Sequence, residues 1–517
     1  PYFCWHPALG SVGACRQCAV KVFKDENDTK GKLMMSCMEG VRDNLHLSID
    51  DPFAKAFRSQ IIEWLMTNHP HDCAVCDEGG SCHLQDMTVM TGHNYRRFRY
   101  KKRTYKNQYL GPFLNHEMNR CIQCYRCVRF YKDYAGGDDL NVFAAHDHVY
   151  FGREKDGVLQ NEFSGNLAEV CPTGVFTDKT LKEHYTRKWD FTMAPSICTH
   201  CSLGCNTIAG ERYGELRQIT SRYNGEVNAY FICDRGRFGY EFVNDINRIK
   251  HTLIRRHVPD VVDSATLSSR LREILAYSNR IIGVGSPRAS IESNFALRQL
   301  VGKESFYQGV TEKEARLLKL VLKAYRPGRI HVPSLKETEE ADVVFILGED
   351  VTNTAPRLAL SLRQAVRNAP LAETKKINIP DWHDAARREL IQEQKGDLFI
   401  AHPFETKTDE LASVVCRLAP DDIARLGYAV AHLLDPMSAE PEDLDDEMRK
   451  IAQGIAGSLQ LAKRPLIISG TGLFNESIIK AAFNIASALS DDNRKTDFLA
   501  AVPDCNSIGL AMTGAES

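Results

Sequence analysis

The chain has 517 residues, enough for three or more domains, and its 65 basic and 67 acidic residues leave a net charge of −2. This balance gives no global field that would favour nucleic acid or a membrane surface, and no apolar run approaches the roughly 18 residues of a transmembrane helix. Fifteen of the seventeen cysteines, with one histidine, fall into four groups of four with iron–sulfur spacing, which favours a reducing compartment over a disulfide framework.

Both ends of the chain are expected to be incomplete. The chain begins without Met and places its first predicted ligand at Cys4, although a small ferredoxin sheet needs strands before that loop. Residues 513–517 follow no closing helix pattern, which predicts a cut within a domain.

The first group lies in a loop at the start of the chain. Its members are Cys4, Cys15, Cys18 and Cys37. Small residues such as Gly10 and Gly13 precede the second cysteine, because a loop that wraps a cluster must turn tightly and aim N–H groups at sulfur. The spacing is longer than in plant-type ferredoxins but predicts a [2Fe–2S] site, with a four-thiolate zinc site as the alternative. Alternating residues at 19–23 and 45–49 predict short strands.

A helix is predicted over residues 51–68, where Asp51 and Pro52 form a start signal. It leads into the second group, which reads His-x3-Cys-x2-Cys-x5-Cys. Its members are His69, Cys73, Cys76 and Cys82. A neutral imidazole in place of a thiolate removes one negative charge and raises the reduction potential of a cluster. His69 completes a set that is short of one cysteine; His71 is a rival ligand, and a three-cysteine cluster with an open iron is the other alternative.

Residues 95–106 are basic, with interleaved aromatic side chains. Such a composition also occurs in segments that contact nucleic acid. Clusters held by four thiolates carry net negative charge, however, and flanking cations offset it. We therefore interpret this segment as a flank of the cluster region and expect no nucleic-acid partner.

The third group contains one C-x2-C-x2-C run and a distant Cys-Pro pair. Its members are Cys121, Cys124, Cys127 and Cys171. This pattern is a strong [4Fe–4S] signature. Two-cluster ferredoxins have two such runs, whereas this chain has one and no cysteine between positions 127 and 171. One cluster is therefore expected here.

The fourth group combines C-x2-C-x3-C with a further cysteine after 27 intervening residues. Its members are Cys198, Cys201, Cys205 and Cys233. The spacing differs from that of a zinc ribbon and favours a further [4Fe–4S] cluster. The remaining cysteines, Cys416 and Cys505, are interpreted as buried core thiols, with Cys416 in a helix-like apolar segment.

From about residue 248, apolar strand runs alternate with helical stretches. The predicted strand–helix pairs are 281–285 with 291–300, 342–347 with 356–366, and 465–469 with 476–489. This alternation predicts a doubly wound α/β fold with a mainly parallel sheet. Gly283-x-Gly285 and Gly470-x-Gly472 end strands, but neither completes G-x-G-x-x-G, so ordinary turns are favoured over a dinucleotide site.

These patterns predict a multidomain chain of α+β and α/β class. The expected domains are a [2Fe–2S] ferredoxin-like β-grasp domain over 1–50, a His/Cys3 [4Fe–4S] domain over 51–98, a [4Fe–4S] ferredoxin-like domain over 99–190, a further [4Fe–4S] domain over 191–247, and a doubly wound α/β domain over 248–517.

The ordered series of four groups resembles one family closely, the large iron–sulfur subunit of bacterial NADH:quinone oxidoreductase, respiratory complex I. The resemblance is highly specific over residues 1–247 and less specific beyond them. It implies that all sixteen group members, His69 included, are cluster ligands. The implied cofactors are one [2Fe–2S] and three [4Fe–4S] clusters, with no catalytic residue on this chain.

The resemblance further implies an electron-relay subunit without a substrate site of its own. Electrons from NADH would enter at a flavin on a neighbouring subunit, pass the first, third and second groups in that order, and continue through downstream iron–sulfur subunits toward quinone. The fourth group, present only in some members, would stand off this path. The expected location is the peripheral arm at the cytoplasmic face of the bacterial inner membrane, with membrane contact only through the complex.

From about residue 191 the chain also resembles molybdopterin oxidoreductases such as formate dehydrogenases, in Cys233-x-Arg235-Gly236 and in residues 285–294. No cysteine lies between positions 234 and 415 to bind a metal, so a retained scaffold without molybdopterin is expected, while a serine ligand stays open. The alternative function is the catalytic subunit of an NAD-linked formate dehydrogenase. Two further alternatives are less favoured: a hydrogenase-type diaphorase or iron hydrogenase subunit, which lacks the α/β region, and a zinc-bound scaffold.

Overall fold

The computed structural model describes residues 1–184, 186–255, 260–326, 328, 330–371, 374, 376–491 and 496–514. They form two compact units. The first comprises Pro1–Ser196, Asn206–Phe238 and Leu360–Gly396; the second comprises Ile197–Cys205, Gly239–Ala359 and Asp397–Ser517. The chain thus returns to the first unit late in the sequence, and the five domain boundaries given above stay a prediction.

The first unit is built on short strands. They are β1 (Ala19–Phe23), β2 (Lys32–Met35), β3 (His46–Ser48), β4 (Leu114–His116), β5 (Asn141–Phe143), β6 (Tyr150–Gly152), β7 (Phe176–Asp178), β8 (Thr192–Ile197), β9 (Asn206–Arg212) and β10 (Glu215–Ser221). β1 pairs antiparallel with both β2 and β3, β4 with β7, and β5 with β6. The remaining sheet has the order β10–β9–β8.

Most helices of the first unit are also short, and they alternate with loops that carry cysteines. The helices are Ser36–Met38, Pro52–Leu65, His83–Thr91, Met118–Arg120, Arg126–Val128, Arg129–Tyr134, His146–His148, Ser164–Asn166, Leu167–Val170, Lys179–Glu183, Lys188–Asp190, Asp234–Phe238, Ala369–Leu371 and Asp384–Ile391.

The helix Pro52–Leu65 shows how the sequence directs the local fold. The Asp51 side chain accepts hydrogen bonds from the backbone N–H groups of Phe53 and Ala54, and Pro52 occupies the first turn, where no N–H is needed. Arg58 ties this helix to the first sheet by donating to the Ala19 carbonyl at 2.7 Å. The predicted helix and the two predicted strands around the first group are confirmed, with the helix ending three residues earlier than expected.

The second unit is organised around a parallel sheet. Its strands are β11 (Leu253–Ile254), β12 (Asp260–Val261), β13 (Gly283–Val284), β14 (Phe306–Tyr307), β15 (Val343–Leu347), β16 (Asp397–Ala401), β17 (Val414–Cys416), β18 (Pro465–Gly470) and β19 (Asp497–Ala501). Five of them form a sheet of order β17–β16–β15–β18–β19, with every pair parallel. Because the strand order reverses between β15 and β18, the sheet is doubly wound, as predicted.

Burial explains the composition of this sheet. All five residues of β15 are buried, because helices cover both faces of a doubly wound sheet and leave no polar side. Cys416 lies in β17 rather than in a helix, so the helix-like interpretation was wrong; the β-branched pair before it favours a strand. Its thiol is buried, as predicted, whereas Cys505 is only half-buried.

The helices of the second unit cover this sheet and extend beyond it. They are Glu241–Asn244, Ser264–Tyr277, Ile291–Val301, Lys303–Ser305, Glu312–Ala324, Leu335–Thr338, Val351–Thr354, Pro356–Asn368, Asp409–Leu411, Pro420–Leu434, Asp446–Leu461, Glu476–Ala488 and Ser507–Met512. The helix Pro356–Asn368 belongs to the second unit up to Ala359 and to the first unit from Leu360. Within the described part of the chain, no helix combines the length and apolar character that a membrane crossing requires.

Candidate iron–sulfur sites

The fold brings the four cysteines of the first group together beside β1. Cys4, Cys15 and Cys18 are buried, and Cys37 is half-buried in the short helix after β2. Hydrogen bonds with the Cys15 and Cys37 thiols lower the pKa of Cys4, and a hydrogen bond with Cys37 lowers the pKa of Cys18. The same contacts raise the pKa of Cys15 and of Cys37. The four thiols therefore influence one another's ionisation, as neighbouring side chains do.

The loop of the first group also fits a cluster in its detail. Gly13 has a φ of 67°, and a Cβ at this position would lie 3.2 Å from the Met38 side chain. Gln17 is fully buried, and neither its amide nitrogen nor its amide oxygen has a hydrogen-bond partner among the described residues. A buried amide donor in the loop between Cys15 and Cys18 fits a cluster, because the sulfur atoms of a cluster accept hydrogen bonds.

The second group lines a single cavity of about 430 Å³, which contains His69, Cys73, Cys76 and Cys82. Cys82 is buried and immediately precedes the helix His83–Thr91. This burial raises the pKa of Cys82 to about 11. A nearby cation is therefore needed to stabilise the thiolate form, and iron would supply that charge.

His69 suits the ligand role better than His71. The His69 side chain is buried, and its Nδ1 has no hydrogen-bond partner within the described ranges. Burial lowers the pKa of His69 to about 4, so the ring is neutral near pH 7 and offers a lone pair. His71 lines the same cavity but is exposed. Burial thus supports His69, and the ligand assignment itself stays a prediction.

Cationic side chains hold the backbone of the second group's loop. Arg187 donates to the carbonyls of Ala74 and Cys76, and Lys102 donates to the carbonyl of His69. Lys102 belongs to the basic segment 95–106, so part of that segment lies against the second group. This position agrees with the interpretation of the segment as flanking cations.

Cys124 and Cys127 of the third group are buried, and Cys121 and Cys171 are half-buried. Its cysteines affect one another's ionisation, since burial first and neighbouring thiols next raise the pKa of Cys121 and Cys127 and raise that of Cys124 to about 12. Gln123 has a φ of 53°, and its N–H donates to Cys121 Sγ at 3.3 Å. Thiols buried this closely cannot ionise together without compensating cations, which fits a [4Fe–4S] site.

Members of the first three groups meet in one apolar cluster of the first unit, which we call the shared core. The shared core contains Cys4, Cys15, Cys82, Cys124, Phe3, Ile62, Leu84, Met87 and Ile122. The loop after Cys171 also packs against the second group. The Pro172 carbonyl lies 3.8 Å from Cys82 Sγ, and a Cβ at Gly174 would lie 2.7 Å from Cys76 Sγ.

The fourth group is divided between the two units. Cys198, Cys201 and Cys205 belong to the second unit, where the Cys198 N–H donates to the Cys205 carbonyl at 2.8 Å. Cys233 belongs to the first unit, and its sulfur accepts a hydrogen bond from the Gly236 N–H at 3.4 Å. The combination of these four cysteines into one site stays a prediction.

Among the residues that the structure describes, no three His, Cys, Asp or Glu side chains are arranged to hold a single metal ion. The ligands of a cluster surround a core of several iron and sulfide atoms, so they need not converge on one point. The choice between a cluster and the zinc site considered as its alternative stays a prediction.

Sequence reasoning missed two buried arginines that flank the third group. Arg120 directly precedes Cys121, and Arg129 follows Cys127 by two residues; they are 6% and 7% exposed. Each contacts the loop of another group. The signal that could have revealed them is the density of arginine around a cysteine run, since arginine is rarely buried without a partner.

The G-x-G turns of the second unit are filled by side chains of the chain itself. The Gly472 N–H donates to the buried Glu349 carboxylate at 3.2 Å, and a Cβ at Gly470 would lie 2.0 Å from the same group. The Ser286 N–H donates to the Asn294 side chain at 2.9 Å. These contacts favour ordinary strand-end turns over a dinucleotide site.

Three segments match known protein families, and together they define a class of iron–sulfur oxidoreductase chains. Residues 58–97 match the NADH-ubiquinone oxidoreductase-G iron-sulfur binding region, residues 111–177 match the ferredoxin-like domain of NADH-quinone oxidoreductase subunit 3, and residues 191–245 match the molybdopterin oxidoreductase Fe4S4 domain. The chain is thus a mixed α/β multidomain protein with ferredoxin-like and molybdopterin-oxidoreductase-like iron–sulfur parts.

Comparison with individual proteins identifies the kind of iron–sulfur chain that this sequence is similar to. The G subunit of NADH-quinone oxidoreductase is 56% identical to this chain in Pseudomonas fluorescens, 54% in Salmonella typhimurium strain LT2 and 53% in Escherichia coli K12. Each comparison covers 100% of this chain and 57% of the relative, so the chain spans a little over half the length of these proteins. The chain is similar to these G subunits over all of its residues, and the predicted resemblance to the large iron–sulfur subunit of NADH:quinone oxidoreductase is confirmed.

Proposed function

We propose that this chain forms the electron-relay part of an NADH:quinone oxidoreductase, respiratory complex I. The observation that carries the proposal is the shared core, in which Cys4, Cys82 and Cys124 of three different groups pack together. Ligand sets that share one core are separated by a few side chains rather than by solvent, as a relay between redox groups requires. The names of the relatives point to the same activity.

The proposed ligands are the sixteen members of the four groups. They would hold one [2Fe–2S] and three [4Fe–4S] clusters, which accept and release single electrons when bound. The residues of the chain supply thiolates and one imidazole, exclude water by burial and place cations nearby. No substrate site is proposed, and a scaffold without molybdopterin is proposed because no cysteine lies between positions 234 and 415 to bind its metal.

The proposed partners are the flavin-containing, NADH-binding subunit upstream and further iron–sulfur subunits downstream. The proposed location is the peripheral arm, at the cytoplasmic face of the bacterial inner membrane. Contact with the membrane would arise only through the complex, and no nucleic-acid partner is proposed. The formate dehydrogenase alternative is not favoured, because the relatives that match every part of the chain are complex I subunits.

Metal content tests this proposal directly. The full-length subunit, isolated without oxygen, is expected to contain ~14 iron atoms per chain, from one two-iron and three four-iron clusters, and no molybdenum or tungsten. Elemental analysis measures all three. Zinc in place of iron would contradict the relay, and about one molybdenum or tungsten per chain would instead favour the formate dehydrogenase function.

A matched pair of variants refines the test. Cys124→Ser is expected to remove about four iron atoms per chain and to block NADH-to-quinone turnover in the assembled complex, because it removes one ligand of the third group. Cys505→Ser, outside every group, is expected to keep the full iron content. Unimpaired turnover of the assembled Cys124→Ser complex would contradict the proposed relay.

A further inference from the structure

Arg129 joins the third group to the first. Its guanidinium donates to the backbone carbonyl of Cys4 and to that of Gly10, both at 2.9 Å, and also to the carbonyl of Leu9. These acceptors lie about 120 residues earlier in the chain. One buried side chain therefore holds both ends of the segment from Cys4 to Gly10, only two residues away from Cys127.

Arg120 joins the third group to the second in the same manner. Its guanidinium donates to the Asp72 carboxylate at 2.7 Å and to the Gly174 carbonyl at 3.4 Å. Asp72 directly precedes Cys73, and Gly174 follows Cys171 by three residues. The Arg120 guanidinium and the Asp72 carboxylate form a salt bridge, with 2.7 Å between nitrogen and oxygen.

We propose that Arg120 and Arg129 are positioning residues that lock the second and first ligand loops, respectively, onto the third. This inference rests on the proposed function, since it concerns how the chain places its cluster ligands. The third group would then be the fixed centre of the relay, and each arginine would set the spacing and the local charge of one neighbouring ligand set.

The chemistry of arginine suits this role. A guanidinium offers several N–H donors in a rigid plane and stays charged when buried, so it can hold two or three acceptors at once. Lysine keeps the charge but presents it at a single point and cannot reproduce the fork. Methionine keeps much of the apolar volume and removes both the charge and the donors.

Variants of Arg120 and Arg129 serve as matched controls for each other, because each arginine contacts a different ligand loop. The variants are made in the full-length subunit within the complex. Arg129→Lys and Arg129→Met are expected to alter the electron paramagnetic resonance spectrum of the cluster held by the first group and to leave the spectrum of the cluster held by the second group unchanged. Arg120→Lys and Arg120→Met are expected to do the reverse. Low-temperature spectra of the reduced complex, recorded during a redox titration, report line shape and midpoint potential for each group.

The methionine variants are also expected to lower the midpoint potential of the affected group, because loss of a buried cation disfavours the added electron. The lysine variants should restore part of that potential without restoring the line shape. NADH-to-quinone turnover should fall roughly ten- to a hundredfold in the methionine variants, as expected for misplaced redox partners.

Three results separate the possible failures. If the wild-type complex lacks signals from the first and second groups, the proposed function fails. If those signals are present and unaltered in all four variants, the positioning role is overturned and the relay stands. If each variant loses iron from every group equally, the arginines serve only the general stability of the unit, which also overturns the positioning role.

Discussion

At the scale of single residues, burial sets the chemical state of the proposed ligands. It lowers the pKa of His69 to about 4 and raises that of Cys82 to about 11 and of Cys124 to about 12. Each of these three pKa shifts favours the neutral form of the side chain. The imidazole is therefore ready to bind metal near pH 7, whereas the thiols must release protons when metal arrives. Metal loading of these buried sites should accordingly be favoured as pH rises.

The second group offers a matched test at this scale. His69→Ala is expected to remove the signal of the second group and up to about four iron atoms per chain, because it removes the buried nitrogen ligand. His71→Ala, on the exposed side of the same cavity, is expected to retain both. Iron analysis and low-temperature electron paramagnetic resonance measure the outcome. The reverse result would identify His71 as the ligand, and retention in both variants would favour a three-cysteine cluster with an open iron.

At the scale of elements, one buried carboxyl group joins two strands of the parallel sheet. Glu349 follows β15 and accepts a hydrogen bond from Gly472 just after β18, at the point where the strand order reverses. Burial raises the pKa of Glu349 to about 7, with a smaller contribution from Asp350 and opposition from the hydrogen bonds of Thr354 and Gly472. The folded chain therefore binds this proton more tightly than the unfolded chain does.

This difference predicts a pH dependence of stability. The stabilisation from Glu349 is fully present below about pH 4.5 and falls as the pH rises toward 7, by about 1–3 kcal/mol in total. Glu349→Gln should remove this slope, so its stability relative to the wild type should increase with pH. Urea denaturation at several pH values measures the effect, with exposed Glu405→Gln as the control. A wild-type curve parallel to that of the Glu349→Gln variant would contradict the argument.

Sequence reasoning predicts elements well where the signal is local. Asp51 and Pro52 indicate the start of the helix Pro52–Leu65, and the unbroken apolar run of β15 indicates a strand buried on both faces. Sequence reasoning fails where the residues that determine a contact are distant in the chain. Arg129 is placed by carbonyl groups more than a hundred residues away, and no periodicity encodes that contact. The same limit explains why Leu360–Gly396 was not expected in the first unit.

The residues of the candidate site also differ in whether a local sequence signal predicts them. Cysteine spacing is a local signal, and it predicted three groupings that the fold brings together. The residues that connect those groupings, such as Arg120 and the loop from Pro172 to Gly174, become visible only when distant loops pack against each other.

At the scale of the whole molecule, the fourth group differs from the other three. No member of it lies in the shared core of the described first unit, and three of its cysteines belong to the second unit, but Cys233 lies with Cys127 of the third group in another apolar cluster of the first unit. The place of the fourth group off the main electron path remains a proposal.

Replacement of one cysteine tests that arrangement. Cys201→Ser in the full-length subunit is expected to remove about four iron atoms per chain while sparing most of the NADH-to-quinone turnover, because the first three groups keep their ligands. The measurement compares turnover and iron content of the purified complex with those of the wild type. A complete loss of turnover in a correctly assembled complex would place the fourth group on the path.

The shared core also links biosynthesis to folding. Because ligands of three groups are packed among the same apolar side chains, we expect iron and sulfide to reach all three groups before that packing forms. The three centres should therefore be assembled together rather than one at a time. The same packing predicts that oxidative loss of one cluster also destabilises the ligand loops of its neighbours.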